Sequence, residues 1–344
     1  MKFAQVSTLY ENVPPRAYGG IERVVSWLTE ELVRRGHEVT LFASSGSKTR
    51  GRLIASSALP LREIEDTADP IALHFAMLEH VVRRSSEIDL VHFHVDYLSF
   101  PFSARLRCAH LTTLHWRLDL PGLEALYRRF PHEPLVAISD AQRQALPWLN
   151  WRRTIHHGMP QGELQPVREP RDYAAFLGRI SPTKRPDLAV EIARRAAVPL
   201  RIAAKVDRAD LEYHKQVVAP LIDGARVIYE GELADDHKRA FLAGARALLF
   251  PVDWPEPFGL VMAEALACGT PVIAFERGSV AELIEHGKTG FVVNSVEEAA
   301  QALRNVGALS RKDGEQPDSA RARCRRGKSP RRHCVAGRPL DGRR

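Results

Sequence analysis

Short apolar runs separated by helical stretches recur almost throughout this chain, and that alternation constrains its fold more than any other feature. Residues 3–9 are expected to form a strand, followed by a loop carrying Gly19 and Gly20, a helix over about 21–35 that Gly36 closes, and a strand over 38–43. Further strands are expected at 90–94, 110–115, 135–139 and 154–157. A polar stretch bearing Pro160, Pro166 and Pro170 then breaks the pattern, as a linker would. After it the alternation restarts. A strand at 174–177 leads into a helix over 185–197 with Pro186 in its first turn, and strands follow at 200–204, 225–229, 247–250 and 271–275. Strands alternating with helices build parallel sheets covered on both faces. The expected fold is therefore α/β, with two Rossmann-like, doubly wound domains at 1–160 and 173–310 joined by a linker at 161–172. Ligands of such domains bind at the carboxyl ends of the strands, here in the cleft between the two halves.

Length and composition agree with this. The chain has 344 residues, enough for about two domains, and its 44% hydrophobic and 26% charged residues describe a soluble globular protein. No run approaches the ~20 apolar residues of a membrane span. The opening Met1-Lys-Phe-Ala-Gln-Val-Ser reads as a strand and not as a secretory signal. Cys108, Cys268, Cys324 and Cys334 lack metal-ligand spacing, which favours a reducing, cytoplasmic setting without disulfides. The formal charge of +7 is concentrated at one end: residues 311–344 hold ten Arg and two Lys against four acids, a net +8 that leaves −1 for residues 1–310. A near-neutral body argues against a nucleic-acid-binding domain, whose basic face would be part of the fold. The tail at 311–344 is nearly devoid of Ile, Leu, Val and Phe, so it is expected to be disordered.

The chemistry concentrates in three loops. Glu256-Pro-Phe258-Gly259-Leu260-Val-Met-Ala-Glu264 puts one carboxylate in a Pro/Gly-rich loop and another about a turn into the helix that follows. Ionised carboxylates only accept hydrogen bonds, so this pair suits a ligand rich in hydroxyls. Gly178-Arg179-Ile-Ser-Pro-Thr-Lys184 brings a planar guanidinium and a compact ammonium to one loop before a helix, where both can reach one anion. Tyr18-Gly19-Gly20-Ile-Glu22 lets the backbone approach a phosphate at a helix start, yet it is not the G-x-G-x-x-G of a dinucleotide-binding dehydrogenase. His115 ends an expected strand of the first half, facing the cleft, while His92, His94, His156 and His157 fall on separate strand ends with no carboxylate pattern to make them metal ligands. Lys205 and Glu230 each follow a strand of the second half.

In order and spacing these motifs resemble those of retaining glycosyltransferases of the GT-B fold, family four, over roughly residues 1–310. The resemblance implies a transferase that uses a nucleotide-sugar donor and needs neither metal nor other cofactor. It implies that Glu256 and the amides of Phe258, Gly259 and Leu260 hold the donor sugar, and that Glu264 holds the ribose. Arg179 and Lys184 would clamp the diphosphate from one side and the Gly19-Gly20 loop, Gly20 above all, from the other. His115 would lie beside the sugar, and Lys205 or Glu230 near the base. Acceptors in the family range from lipids and polysaccharides to small metabolites, so a cytoplasmic protein in peripheral contact with the inner face of the membrane is compatible with it. The chain departs from the pattern at its end, where an aromatic-rich helix that crosses back to the first domain would stand in place of the Arg-rich tail. A catalytically impaired GT-B pseudoenzyme or nucleotide-sugar-binding protein, a nucleotide-sugar epimerase, and a basic tail that binds nucleic acid or anionic membrane are the alternatives that residues 1–344 leave open.

Overall fold

A computed structural model describes residues 1–64, 69–160 and 172–311. The first half holds seven strands: β1 (Lys2–Val6), β2 (Glu38–Ser44), β3 (Arg52–Ser57), β4 (Leu90–Phe93), β5 (Ala109–Thr113), β6 (Leu135–Ala137) and β7 (Trp151–Thr154). Around them lie α1 (Gly20–Arg34), α2 (Pro70–Arg84), α3 (Phe100–Ser103), α4 (Leu123–Tyr127) and α5 (Asp140–Ala145). The second half holds β8 (Ala174–Arg179), β9 (Leu200–Lys205), β10 (Val227–Gly231), β11 (Ala247–Phe250), β12 (Val272–Phe275) and β13 (Gly290–Val293). Its helices are α6 (Pro186–Ala196), α7 (Leu211–Tyr213), α8 (Asp235–Gly244), α9 (Leu260–Ala267), α10 (Val280–Leu283) and α11 (Val296–Asn305).

Local chemistry explains these elements. β11 and β12, in the middle of the second sheet, are buried at every residue and carry only apolar side chains, as strands covered on both faces must. Pro186 opens α6, where a missing amide hydrogen costs nothing, and Gly36 takes φ +84° just beyond α1 to end it. α2 begins at Pro70, with the Asp69 carboxylate accepting from the Ile71 and Ala72 amides. Both sheets are parallel, in the orders β3-β2-β1-β4-β5-β6-β7 and β10-β9-β8-β11-β12-β13. The chain therefore reverses its direction of winding between β1 and β4 and again between β8 and β11. The loops leaving these four strands are where an open α/β sheet binds its ligands.

Several expectations need correction. The strand expected at 154–157 lies earlier, at Trp151–Thr154, so His156 and His157 follow it instead of belonging to it. β3, α2 and β13 were not anticipated. Lys205 and Glu230 do not follow strands but stand within β9 and β10. Most of the expected linker and tail falls outside the described residues. Arg311, expected in the tail, is tied to the body: its guanidinium donates to the carbonyls of Ala243 (2.7 Å) and Ala245 (2.9 Å) and to Thr270 Oγ1 (2.9 Å). No helix among the described residues is long and apolar enough to cross a membrane.

Candidate active site

Two of the expected site residues meet directly. Lys184, in the loop after β8, donates from Nζ to Glu256 Oε2, and the same oxygen accepts from Trp254 Nε1 at 3.0 Å. The ammonium also sits 5.0 Å from the Trp254 ring centroid and 5.4 Å from that of Phe250. Glu256 is only 6% exposed, and the partly buried Lys184 ammonium stands beside it in place of water. The loop it occupies is braced from behind: the Ser279 amide donates to the Glu256 carbonyl (2.9 Å) and Ser279 Oγ to the Phe258 carbonyl (2.9 Å). Gly278, at φ +58°, packs so closely that an added Cβ would lie 2.2 Å from the Glu256 carbonyl oxygen. Gly259, at φ +75°, turns the chain into α9, whose leading amides have no partner within the helix.

Glu264, one turn into α9 and 5% exposed, accepts from Lys238 Nζ of α8 at 2.7 Å. Arg179, the last residue of β8, does not join Lys184. It engages Asp207 and Asp210, each at 3.3 Å. Lys205 reaches across to Glu11 of the first half at 3.4 Å. Glu230 is held by Arg201 of the adjacent strand at 2.5 Å, an ion pair within the sheet.

In the first half, Gly19 and Gly20 differ. A Cβ on Gly19 would lie 2.7 Å from Pro15 Cβ, whereas one on Gly20 would meet nothing within 4 Å and so leaves the cleft side of α1 open. Glu22, two residues on, is 4% exposed and accepts from Thr8 Oγ1 at 2.5 Å, which ties the β1 loop to α1; burial pushes its carboxyl above the usual carboxylate range.

The histidines that looked scattered along the sequence converge. His115 Nε2 and His94 Nδ1 are 2.9 Å apart, and His94 Nε2 is 2.9 Å from Gln5 Oε1. Gln5 Oε1 can only accept, so His94 Nε2 carries its hydrogen, His94 Nδ1 accepts, and His115 Nε2 donates. His115 Nδ1 is then left as a lone-pair acceptor. Burial drives His94 and His115 well below the ordinary imidazole range, and it lowers His92 and His157 to about 3. The His115 ring stacks on His157 (centroids 5.2 Å apart), which meets Phe258 of the second half edge-on at 4.7 Å. Asp96, in the left-handed region at φ +48°, accepts the His115 amide at 2.8 Å; burial raises its carboxyl to about 6 against the hydrogen bonds from the His115 and Trp116 amides. Among the described residues no group of three His, Cys, Asp or Glu is arranged to hold a metal ion.

The halves also touch beside the site. Arg23 of α1 pairs with Asp235 of α8 at 2.5 Å, and the Tyr18 amide donates to Glu232 at 2.9 Å. Next to these contacts lies a cavity of about 1270 Å³ lined by Arg23, His92, His94, His157, Lys238 and Glu264 among others. Sequence reasoning missed Lys238, Trp254, Gly278 and Asp96 as parts of this neighbourhood. Only Asp96, two residues past the expected His94 strand end, carried a positional signal.

Two parallel doubly wound sheets whose switch points open on one cleft define a GT-B protein. Residues 18–158 match the family described as Glycosyltransferase Family 4, and residues 164–323 match glycosyl transferases group 1. The chain belongs to the GT-B glycosyltransferases of the family-four type. It is 23% identical to an uncharacterised glycosyltransferase of Methanocaldococcus jannaschii over 85% of each chain. It is 33% identical to the D-inositol 3-phosphate glycosyltransferase of Rhodococcus opacus, but over 40% of this chain and only 34% of that protein. Among solved structures, Anabaena HepE in complex with UDP and glucose superposes with a TM-score of 0.71 at 21% identity, covering 94% of both chains.

Proposed function

We propose that this enzyme is a retaining glycosyltransferase that moves a sugar from a nucleotide-sugar donor to a hydroxyl-bearing acceptor (a lipid, a polysaccharide or a small metabolite) without a metal or other cofactor. The observation that carries this reading is the partly buried Lys184–Glu256 pair, at the junction of the two loops that leave β8 and β11. An ammonium for a phosphate and a carboxylate for sugar hydroxyls stand side by side there. Residues 173–310 then form the donor domain and residues 1–160 the acceptor-side domain.

In this reading the diphosphate recruits Lys184 and Arg179, whose charges match what develops on the leaving group; preorganised electrostatics of this kind is commonly the largest catalytic term. The Gly20 amide approaches from the other half. Glu256, with the amides of Phe258, Gly259 and Leu260, orients the sugar, and Glu264 takes the ribose. Lys205 lies on the base side; Glu230, committed to Arg201, contributes least. The acceptor oxygen bonds to the anomeric carbon on the face the diphosphate leaves, the carbon–oxygen bond to phosphate breaks, and the acceptor's proton passes to the departing phosphate oxygen. His115, neutral through burial, offers Nδ1 as an acceptor to a sugar hydroxyl.

The HepE complex holds UDP, which makes UDP the first nucleotide to try. Thermal unfolding with UDP, GDP and ADP in turn tests the donor site. A bound nucleotide at a hundred times its dissociation constant adds about 2.7 kcal/mol to the folded state, and one of the three should stand out. A cooperative melt that none of them moves would overturn the reading.

A further inference from the structure

Glu282 lies on α10 in the second half, yet three of its partners belong to the first. Its Oε1 accepts the Ala141 amide at 2.7 Å, and its Oε2 accepts the Asp140 amide at 2.9 Å and meets His156 Nε2 at 2.9 Å. Asp140 and Ala141 open α5, and His156 follows β7. The side chain is 18% exposed, so these contacts compete little with water. Burial alone would raise its carboxyl; the His156 hydrogen bond and the Ala141 and Asp140 amides outweigh it and hold the group below the usual carboxylate range.

The position of α10 along the chain gives these contacts a second consequence. The residues immediately before it are the brace of the Glu256 loop: Gly278 against the Glu256 backbone, and Ser279 bonded to the Glu256 and Phe258 carbonyls. The Glu282 amide itself donates to the Ser279 carbonyl at 2.9 Å. One short, rigid segment thus grips the opposite half with one end and holds the sugar-side loop with the other.

Resting on the transferase reading above, we propose that Glu282 is a positioning residue that registers the Glu256 loop against the acceptor-side half. Closure of the two halves then sets the sugar loop and shuts out water in the same movement. Glu282 touches neither donor nor acceptor. It acts through Gly278 and Ser279 on Glu256, so losing it should leave nucleotide affinity almost intact while the reaction slows.

The test compares the full chain with its Glu282→Ala and Glu282→Gln variants. The probes are UDP, GDP or ADP for binding and the glucose conjugate of whichever nucleotide the melting experiment selects. Glu282→Ala should keep the nucleotide dissociation constant within about threefold, while kcat falls about tenfold or more through misplacement of the loop. Glu282→Gln, which keeps the shape and one acceptor oxygen, should recover part of that loss and serves if the alanine variant does not fold. Amide hydrogen exchange should accelerate both at 140–141 and at 256–260 in Glu282→Ala. Acceleration confined to 140–141, or an unchanged kcat, would overturn the inference and leave the transferase reading standing. A wild-type chain that binds none of the nucleotides would overturn both.

Discussion

Gly278→Ala probes the brace of the Glu256 loop without replacing any side chain proposed to contact a ligand. The new methyl would lie 2.2 Å from the Glu256 carbonyl oxygen, 2.5 Å from its nitrogen and 2.8 Å from the Pro255 carbonyl carbon, all backbone atoms that cannot rotate away. Relief requires a backbone shift of about 1 Å, and overpacking of this kind typically costs about 1–3 kcal/mol. Alanine at φ +58° adds roughly 1–2 kcal/mol, offset by about 0.4–1 kcal/mol from the stiffer unfolded chain. The net is about 2–4 kcal/mol, or roughly 3–6 °C in melting temperature for a chain of this size. A 1 Å displacement of Glu256 should also lower turnover about a hundredfold. The assay pairs thermal unfolding with donor turnover, using Gly287→Ala as the control. Gly287 has φ +77°, but a Cβ there meets nothing within 4 Å, so the control isolates the backbone cost from the clash. If Gly278→Ala melts no lower than Gly287→Ala and turns over normally, the bracing argument is wrong.

Lys184→Ala removes both the proposed phosphate cation and the partner of a buried carboxylate, so turnover should fall about a hundredfold or more; near-normal turnover would refute its role. Acid should unfold the protein early. The unfolded chain takes up protons that the buried His92 and His157, lowered to about 3, refuse, so stability falls with pH below about 6.5, by about 2 kcal/mol for each of these rings at pH 5; His94 and His115, also pushed down by burial, act in the same sense. Asp96 acts in the opposite sense. Its carboxyl, raised to about 6, returns roughly 1.4 kcal/mol at pH 5, which offsets only part of that loss. Urea titrations at pH 7.5 and pH 5 measure the difference, and equal stabilities would show that the rings are not locked neutral.

The fold was legible where a pattern was strong. The run at 247–250, wholly apolar, becomes β11 without a residue's change, and the loops carrying Lys184 and Glu-Pro-Phe-Gly stand after β8 and β11, at the switch point of the second sheet. β3 escaped notice because it is an edge strand, half exposed and without clean alternation. α2 did announce itself through Asp69-Pro70 and the apolar residues behind them, a helix start that deserved reading. The apolar Ile155 suggests a strand over 154–157, but it is 56% exposed and lies beyond β7, which ends at Thr154. Other features have no local signature. The histidine cluster depends on the register that sets β1, β4 and β5 side by side, and Glu282 lies 141 residues from Ala141 along the chain. Arg179 was expected to work beside Lys184, but Asp207 and Asp210, which claim it, come from a loop whose return to β8 no spacing rule predicts.

The run of hydrogen bonds from His115 through His94 ends on Gln5, an amide and not an acid. In a Ser-His-Asp triad a carboxylate at the far end stabilises the imidazolium that forms during reaction, and so lets the ring store a proton. Gln5 offers no such compensation, and burial penalises the charged ring further. A proton on His115 is therefore strongly disfavoured in the folded protein. Under the proposed transferase reading the ring is thus a fixed hydrogen-bonding partner for the sugar and not a store for the acceptor's proton.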